Sequence, residues 1–228
     1  ADVVMISDTT MYDYERPAIG YGLRGLVYME IQIEGPNKDL HSGGYGGSVA
    51  NPLNILSDII AEMIDSDGRI TIPGFYDDIV PLTDTERAAF TALAFSEDEY
   101  AERLGVAELK GEKGYSTLER IWARPTLDVN GLLGGFTGEG SKTVIASKGM
   151  AKVSMRLVPN QDPEVIAQAF EVYVKKLAPS SVKINILRHG TGKPILTPRD
   201  HPAVKAADQA ITQGFGIPPV YIREGGSI

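Results

Sequence analysis

Residues 27–34 alternate without a break: Val27, Met29, Ile31 and Ile33 fall on one side, while Tyr28, Glu30, Gln32 and Glu34 fall on the other. Such a pattern predicts a strand with one packed and one wet face. After a glycine-rich stretch the period changes. Leu53, Ile55, Leu56, Ile59, Ile60, Met63 and Ile64 make a helical stripe, so residues 48–64 read as a helix whose apolar face lies against a sheet from position 51 onward. Residues 83–104 are polar and helical, with Thr83 and Ser96 placed as N-caps before acidic first turns, and residues 116–124 form a third short helix in which Trp122 packs. The acidic positions 97–102 read as a solvated helix face.

Alternation returns at 149–158, where Ala151, Val153, Met155 and Leu157 oppose Lys152, Ser154 and Arg156, until Pro159 ends the strand. Asp162-Pro163-Glu164 starts a helix that carries Val165, Ile166, Ala169, Phe170, Tyr173 and Leu177 inward and stops before Pro179. Residues 181–187 alternate again. The predicted order is strand, helix, strands, helix, strand. This gives a βαββαβ-like α+β unit over about 23–188, an antiparallel sheet with helices on one face and a helical insertion at about 66–125. The opening run Asp2-Val3-Val4-Met5-Ile6 has the composition of a buried parallel strand, and His201-Pro202 starts a last helix. A chain that opens on such a strand and closes inside Arg223-Glu224-Gly225-Gly226-Ser227-Ile228 reads as a piece of a larger protein.

The stretch that carries chemistry is Asn37-Lys38-Asp39-Leu40-His41-Ser42-Gly43-Gly44-Tyr45-Gly46-Gly47-Ser48. Glycine weakens helices and strands alike, so four glycines here mark backbone that takes unusual conformations or approaches another group closely. His41 in that setting is either a ligand-contacting residue or a surface histidine on a flexible turn. The glycines Gly134, Gly135, Gly138 and Gly140 lack a following Lys-Ser or Lys-Thr and read as turn residues, not a phosphate cradle. His189 and His201 read as surface or capping residues.

Composition removes several function classes. The 228 residues are 43% hydrophobic and 23% charged, which is ordinary globular material, with a formal net charge of −8 and no basic run, which argues against nucleic acid as a partner. No apolar stretch approaches the ~20 residues of a membrane span, and the start lacks the pattern of a signal peptide. With no cysteine there is no disulfide, thiol nucleophile or cysteine metal site, in keeping with a cytoplasmic location.

Six segments in order, Ile6-Ser7-Asp8, Tyr21-Gly22-Leu23-Arg24-Gly25, Asp39-Leu40-His41-Ser42-Gly43, Lys142-Thr143-Val144-Ile145, Met155-Arg156-Leu157-Val158-Pro159 and Arg223-Glu224-Gly225-Gly226-Ser227-Ile228, together resemble the cytosolic nonspecific dipeptidase and carnosinase branch of the metallopeptidases, peptidase family M twenty. That resemblance implies an α/β catalytic domain with two zinc or manganese ions and an inserted lid domain that forms a homodimer. It assigns residues 1–20 and 190–228 to the catalytic domain and 21–189 to the lid. Asp8, on its own a turn or capping aspartate, would be a metal ligand. His41 would stabilise the oxyanion in the neighbouring subunit's site, a task that suits an imidazole N–H. Arg156, otherwise a solvent-facing strand arginine, would grip the terminal carboxylate of a short peptide. Thr143 would contact substrate, and Gly226 and Ser227 would bind its backbone.

The family's His-x-Asp segment, bridging Asp, Glu-Glu pair and final metal-binding His are not among these 228 residues. Since one carboxylate cannot hold two metal ions, the expectation is a peptidase parent and a chain inactive alone. Two other readings remain: a noncatalytic dimerisation module, and a serine hydrolase using Ser42 or Ser227, for which no Gly-x-Ser-x-Gly elbow is present.

Overall fold

The computed structural model describes residues 3–6 and 10–226. Its centre is a four-stranded antiparallel sheet built from β2 (Gly25–Glu34), β4 (Thr126–Gly134), β6 (Lys148–Leu157) and β7 (Lys183–Gly192), in the order β4-β6-β2-β7. The period-2 pattern decides which face is covered. Val27, Met29, Ile31 and Ile33 of β2 and Ala151, Val153, Met155 and Leu157 of β6 are fully buried against two helices, α2 (Pro52–Ala61) and α6 (Pro163–Leu177). From the helices come Leu56, Ile59, Ile166, Phe170 and Val174. Both helices lie on this one face, as the sequence predicts; the opposite face carries Tyr28, Glu30, Gln32, Lys152 and Arg156.

Helix α2 is shorter than its hydrophobic stripe. Asn51 Oδ1 accepts the Leu53 N–H at 3.0 Å and Pro52 takes the first helical position, so residues 48–50 lie outside the helix. Asp162 caps α6 in the same way, 2.8 Å from the Glu164 N–H.

Between α2 and β4 lie α3 (Asp84–Thr91), α4 (Glu97–Leu104) and α5 (Thr117–Ala123). Thr83 with Glu86 and Ser116 with Glu119 form reciprocal capping boxes, and Ser96 caps α4. The acidic first turn of α4 buries nothing, as expected of a solvated face. Trp122 packs edge-on against Phe90 at 5.2 Å between ring centres. The insertion also feeds the main core: Ile70, Ile72 and Phe75 are buried beneath the sheet and its helices.

A second sheet flanks this unit. In it β1 (Ala18–Leu23) lies between β8 (Ile195–Leu196) and a parallel partner, β9 (Val220–Glu224), which follows α7 (Pro202–Phe215). His201 has the capping role expected of it, its Nδ1 accepting the Ala203 N–H at 3.2 Å. His189 sits on the open sheet face, with Nε2 2.9 Å from Glu30 Oε2. The opening apolar run departs from its expected strand: Val3, Val4, Met5 and Ile6 are 53% to 80% exposed, and no described strand pairs with them. A buried parallel strand requires neighbours on both sides, which the described residues do not provide. Among those residues no helix is long and apolar enough to cross a membrane.

Candidate functional site

His41 ends β3 (Leu40–His41), which pairs antiparallel with β5 (Val144–Ile145) and sets His41 opposite Val144. The single helical turn α1 (Ser42–Tyr45) starts on the next residue, with His41 as its cap. The Gly43 N–H lies 3.0 Å from His41 Nδ1, and since an amide can only donate, Nδ1 accepts. In the neutral ring the proton therefore sits on Nε2, which donates to Thr143 Oγ1 at 3.0 Å. The loop itself thus fixes the tautomer that an oxyanion donor needs. This contact also explains Gly43, because a Cβ there would lie 2.9 Å from His41 Cε1 and displace the ring.

A two-residue ladder is weak alone, and three further contacts hold it. Ser42 N–H donates to the Thr143 carbonyl at 3.0 Å, and Gly35 N–H donates to the Ser147 carbonyl at 2.9 Å. Asp39 Oδ1 accepts both the Ser147 N–H at 2.8 Å and its hydroxyl at 2.9 Å. Those two bonds, the backbone one foremost, hold the Asp39 carboxyl below its ordinary value. His41 and Thr143, named separately from the sequence, are thereby brought into contact on an exposed, braced long-range ladder. Asp39 and Ser147 brace this ladder, a contact that sequence reasoning missed. The available signal was the position of Asp39 within the histidine motif.

Arg156 stands elsewhere. On β6 it pairs with Leu26 of β2 and Thr126 of β4, near the opposite end of the sheet. The strand starts at Lys148, beside the β3–β5 ladder, and eight residues at about 3.3 Å each put Arg156 about 26 Å further along. Close to it is Arg24, between β1 and β2, whose Nε donates to the Gly225 carbonyl at 3.2 Å and whose Nη1 donates to the Arg124 carbonyl at 3.3 Å. Gly226 follows on that loop and lines an open cleft of ≈ 590 Å3 with Tyr12, Arg16, Tyr100, Trp122 and Glu224. Arg156, Gly226 and Arg24 thus make a second group, in which Arg24 was quoted from the sequence without a role.

Asp8 and Ser227 lie outside the described residues. Among those described, no group of three or more His, Cys, Asp or Glu side chains could hold a metal ion, so no chemical step can be drawn through a metal on these residues alone. Ser42 forms no nucleophile pair with His41, both of whose ring nitrogens are engaged, one by Gly43 and one by Thr143.

Comparison with known proteins places the fold in a family. Residues 21–182 match the family model described as the peptidase dimerisation domain. The chain is 36% identical over its whole length to the Cys-Gly metallodipeptidase of Schizosaccharomyces pombe and 32% identical to the human beta-Ala-His dipeptidase, covering 48% and 45% of those proteins. It therefore spans about half the length of the curated relatives it matches. Among solved structures, human carnosine dipeptidase 1 superposes with a TM-score of 0.81 at 30% identity, over 96% of this chain and 47% of that one. The dipeptidase Dug1p of Saccharomyces cerevisiae gives 0.81 at 33% identity, over 97% and 47%.

Proposed function

Because this chain belongs to the peptidase dimerisation domain family of the metallopeptidases, we propose that it is the lid and dimerisation part of a metal-dependent enzyme that hydrolyses dipeptides or other short peptides. In this reading residues 21–189 are the lid, with the helical insertion at about 66–125. Residues 1–20 and 190–228 belong to an α/β catalytic domain that carries two zinc or manganese ions, Asp8 among their ligands. The protein works in the cytoplasm as a homodimer.

One observation carries the reading: the His41–Thr143 contact lies on the small β3–β5 ladder beside the start of β6, whereas Arg156 lies eight residues, about 26 Å, further along β6. Adjacent Cα atoms of a dipeptide are 3.8 Å apart, so one chain cannot bring both groups to the same small substrate. Two chains related by a two-fold axis can. Arg156 and the Gly226–Ser227 loop of one subunit hold the terminal carboxylate and the backbone. The partner copy supplies His41, whose Nε2–H exchanges its bond to the Thr143 hydroxyl for one to a developing oxyanion, and the Thr143 hydroxyl beside it. An exposed edge is available for such pairing. Strand β4 bonds only to β6 among the described residues, and its Leu132 and Leu133 are each 62% exposed.

Purified full-length enzyme with zinc or manganese should hydrolyse dipeptides, while the 228-residue chain alone should not, and sedimentation should give a dimer. Dipeptide hydrolysis by the isolated chain, or a full-length protein with no peptidase activity under any divalent metal, would remove this reading.

A further inference from the structure

Arg24 is the single residue between β1 and β2, where the chain passes from the flanking sheet to the central one. Three elements meet on it. Its backbone N–H donates to the Glu224 carbonyl at 3.1 Å. The side chain reaches the Gly225 carbonyl through Nε at 3.2 Å and the Arg124 carbonyl at the end of α5 through Nη1 at 3.3 Å. Gly225 packs so closely on this guanidinium that a Cβ would lie 2.7 Å from Nη2 and 3.0 Å from the Ile121 carbonyl. The loop cannot shift toward α5 without meeting Arg24, and it cannot leave without breaking the bond to Arg24.

Arg156 lies beside this joint, facing Leu26, two residues after Arg24. The two cations sense each other: burial first, and then the Arg156 charge, bring the Arg24 guanidinium down to about 10, which leaves it charged at neutral pH. Asp128 acts the other way and moderates the repulsion. Thus one side chain is bonded to the loop that ends in Gly226 and is also an electrostatic neighbour of Arg156.

We propose that Arg24 is a positioning and specificity-determining residue of the peptide site, fixing the span between the Arg156 guanidinium and the Gly225–Gly226 loop. This rests on the reading of Arg156 as the carboxylate grip and of the loop as the backbone holder. If a substrate is held at its terminal carboxylate and at its backbone, the distance between the two holders sets how many residues fit between them. A rigid joint selects one length, and a loosened joint admits others.

The test uses the full-length, metal-loaded enzyme with a dipeptide and a tripeptide that end in the same residue. Arg24→Met should raise KM for the dipeptide about tenfold with kcat changed less than about threefold, and should cut the dipeptide-to-tripeptide preference about fivefold or more. Arg24→Lys, which keeps one donor and the charge, should recover part of that preference. Gly225→Ala should erode it in the same direction, since the added methyl pushes the loop off the guanidinium. If Arg24→Met does not fold, Gly225→Ala decides by the same ratio. A folded variant of either kind with the wild-type preference overturns the inference. Arg156→Met separates the two levels. If KM rises in Arg156→Met while the preference is unchanged in Arg24→Met, only the role of Arg24 falls; if KM is unchanged in Arg156→Met, the carboxylate grip falls and the inference with it.

Discussion

Replacing Glu112 by Gln should be among the most damaging single changes in the insertion. Glu112 and Arg124 are 7% and 6% exposed and face each other bidentately, Nε to Oε2 and Nη2 to Oε1, both at 2.7 Å. Burial opposes the charge on Arg124, but the Glu112 hydrogen bond and its charge outweigh that and hold the guanidinium above its ordinary value. Arg69 also reaches Glu112, at 3.4 Å, and both arginines stack on Tyr76. Removing the carboxylate charge leaves a buried cation unpaired beside a second cation, a loss of about 3–5 kcal/mol. For a chain of this size that corresponds to a fall in Tm of about 6–20 °C. Arg124→Gln should cost less, because Glu112 keeps Arg69. The double change Glu112→Leu with Arg124→Met, which removes both charges, should recover most of the loss. Urea unfolding can be followed by circular dichroism and by the fluorescence of Trp122, the only tryptophan. A loss below about 1 kcal/mol for Glu112→Gln, or a double variant no more stable than the single one, would refute the reasoning. The outcome bears on function, since the Arg124 carbonyl is one of the groups that position Arg24.

Other expectations follow from the same structure. Phe170→Ala, at a fully buried position between α6 and the sheet, should cost about 3–5 kcal/mol in denaturant unfolding. Gly43→Ala should displace the His41 ring, and nitrogen NMR should show its Nε2–H tautomer less strongly populated than in the wild type; an unchanged pattern would mean that the Gly43 amide does not set the tautomer. The Asp39 carboxyl is depressed in the folded chain, so its bonds to Ser147 are present above its ordinary value of 3.8 and are lost as pH falls through the lower folded value. Protection of the Ser147 amide against exchange should fall as pH drops through that lower value, and in Asp39→Ala it should be low at every pH.

How much of this was legible in the sequence depended on the range of the interaction. The alternation over 27–34 and 149–158 and the stripe of α6 record which side of each element meets the core, so the helix-covered antiparallel sheet could be read directly. Caps are local too, and Thr83, Ser96 and Asp162 mark the starts of their helices. The parallel pairing of β1 with β9 leaves no such trace. Gly20 and Gly22 interrupt any apolar pattern in β1, and its partner lies about 200 residues away in the chain. Strand β4 was hidden for a related reason: Val129, Leu132 and Leu133 are exposed, and a register shift between Val129 and Gly131 breaks the period of two. At the candidate site, resemblance pointed to His41, Thr143, Arg156 and Gly226 one at a time. Their division into two groups follows from strand register, which no linear motif records. The bonds of Asp39 to Ser147, 108 positions on, and of Arg24 to Gly225 became visible only in three dimensions.

The central claim is that His41 serves the substrate held by the other subunit, and mixed dimers test it most directly. Full-length His41→Ala, which keeps its metal ligands, and full-length Asp8→Ala, which keeps His41, should each be nearly inactive. Co-expressed in equal amounts, they should regain about a quarter of wild-type dipeptidase activity, since half of the dimers are mixed and each of these contains one complete site. If mixed dimers form and no activity returns, His41 acts within its own chain and the account is contradicted.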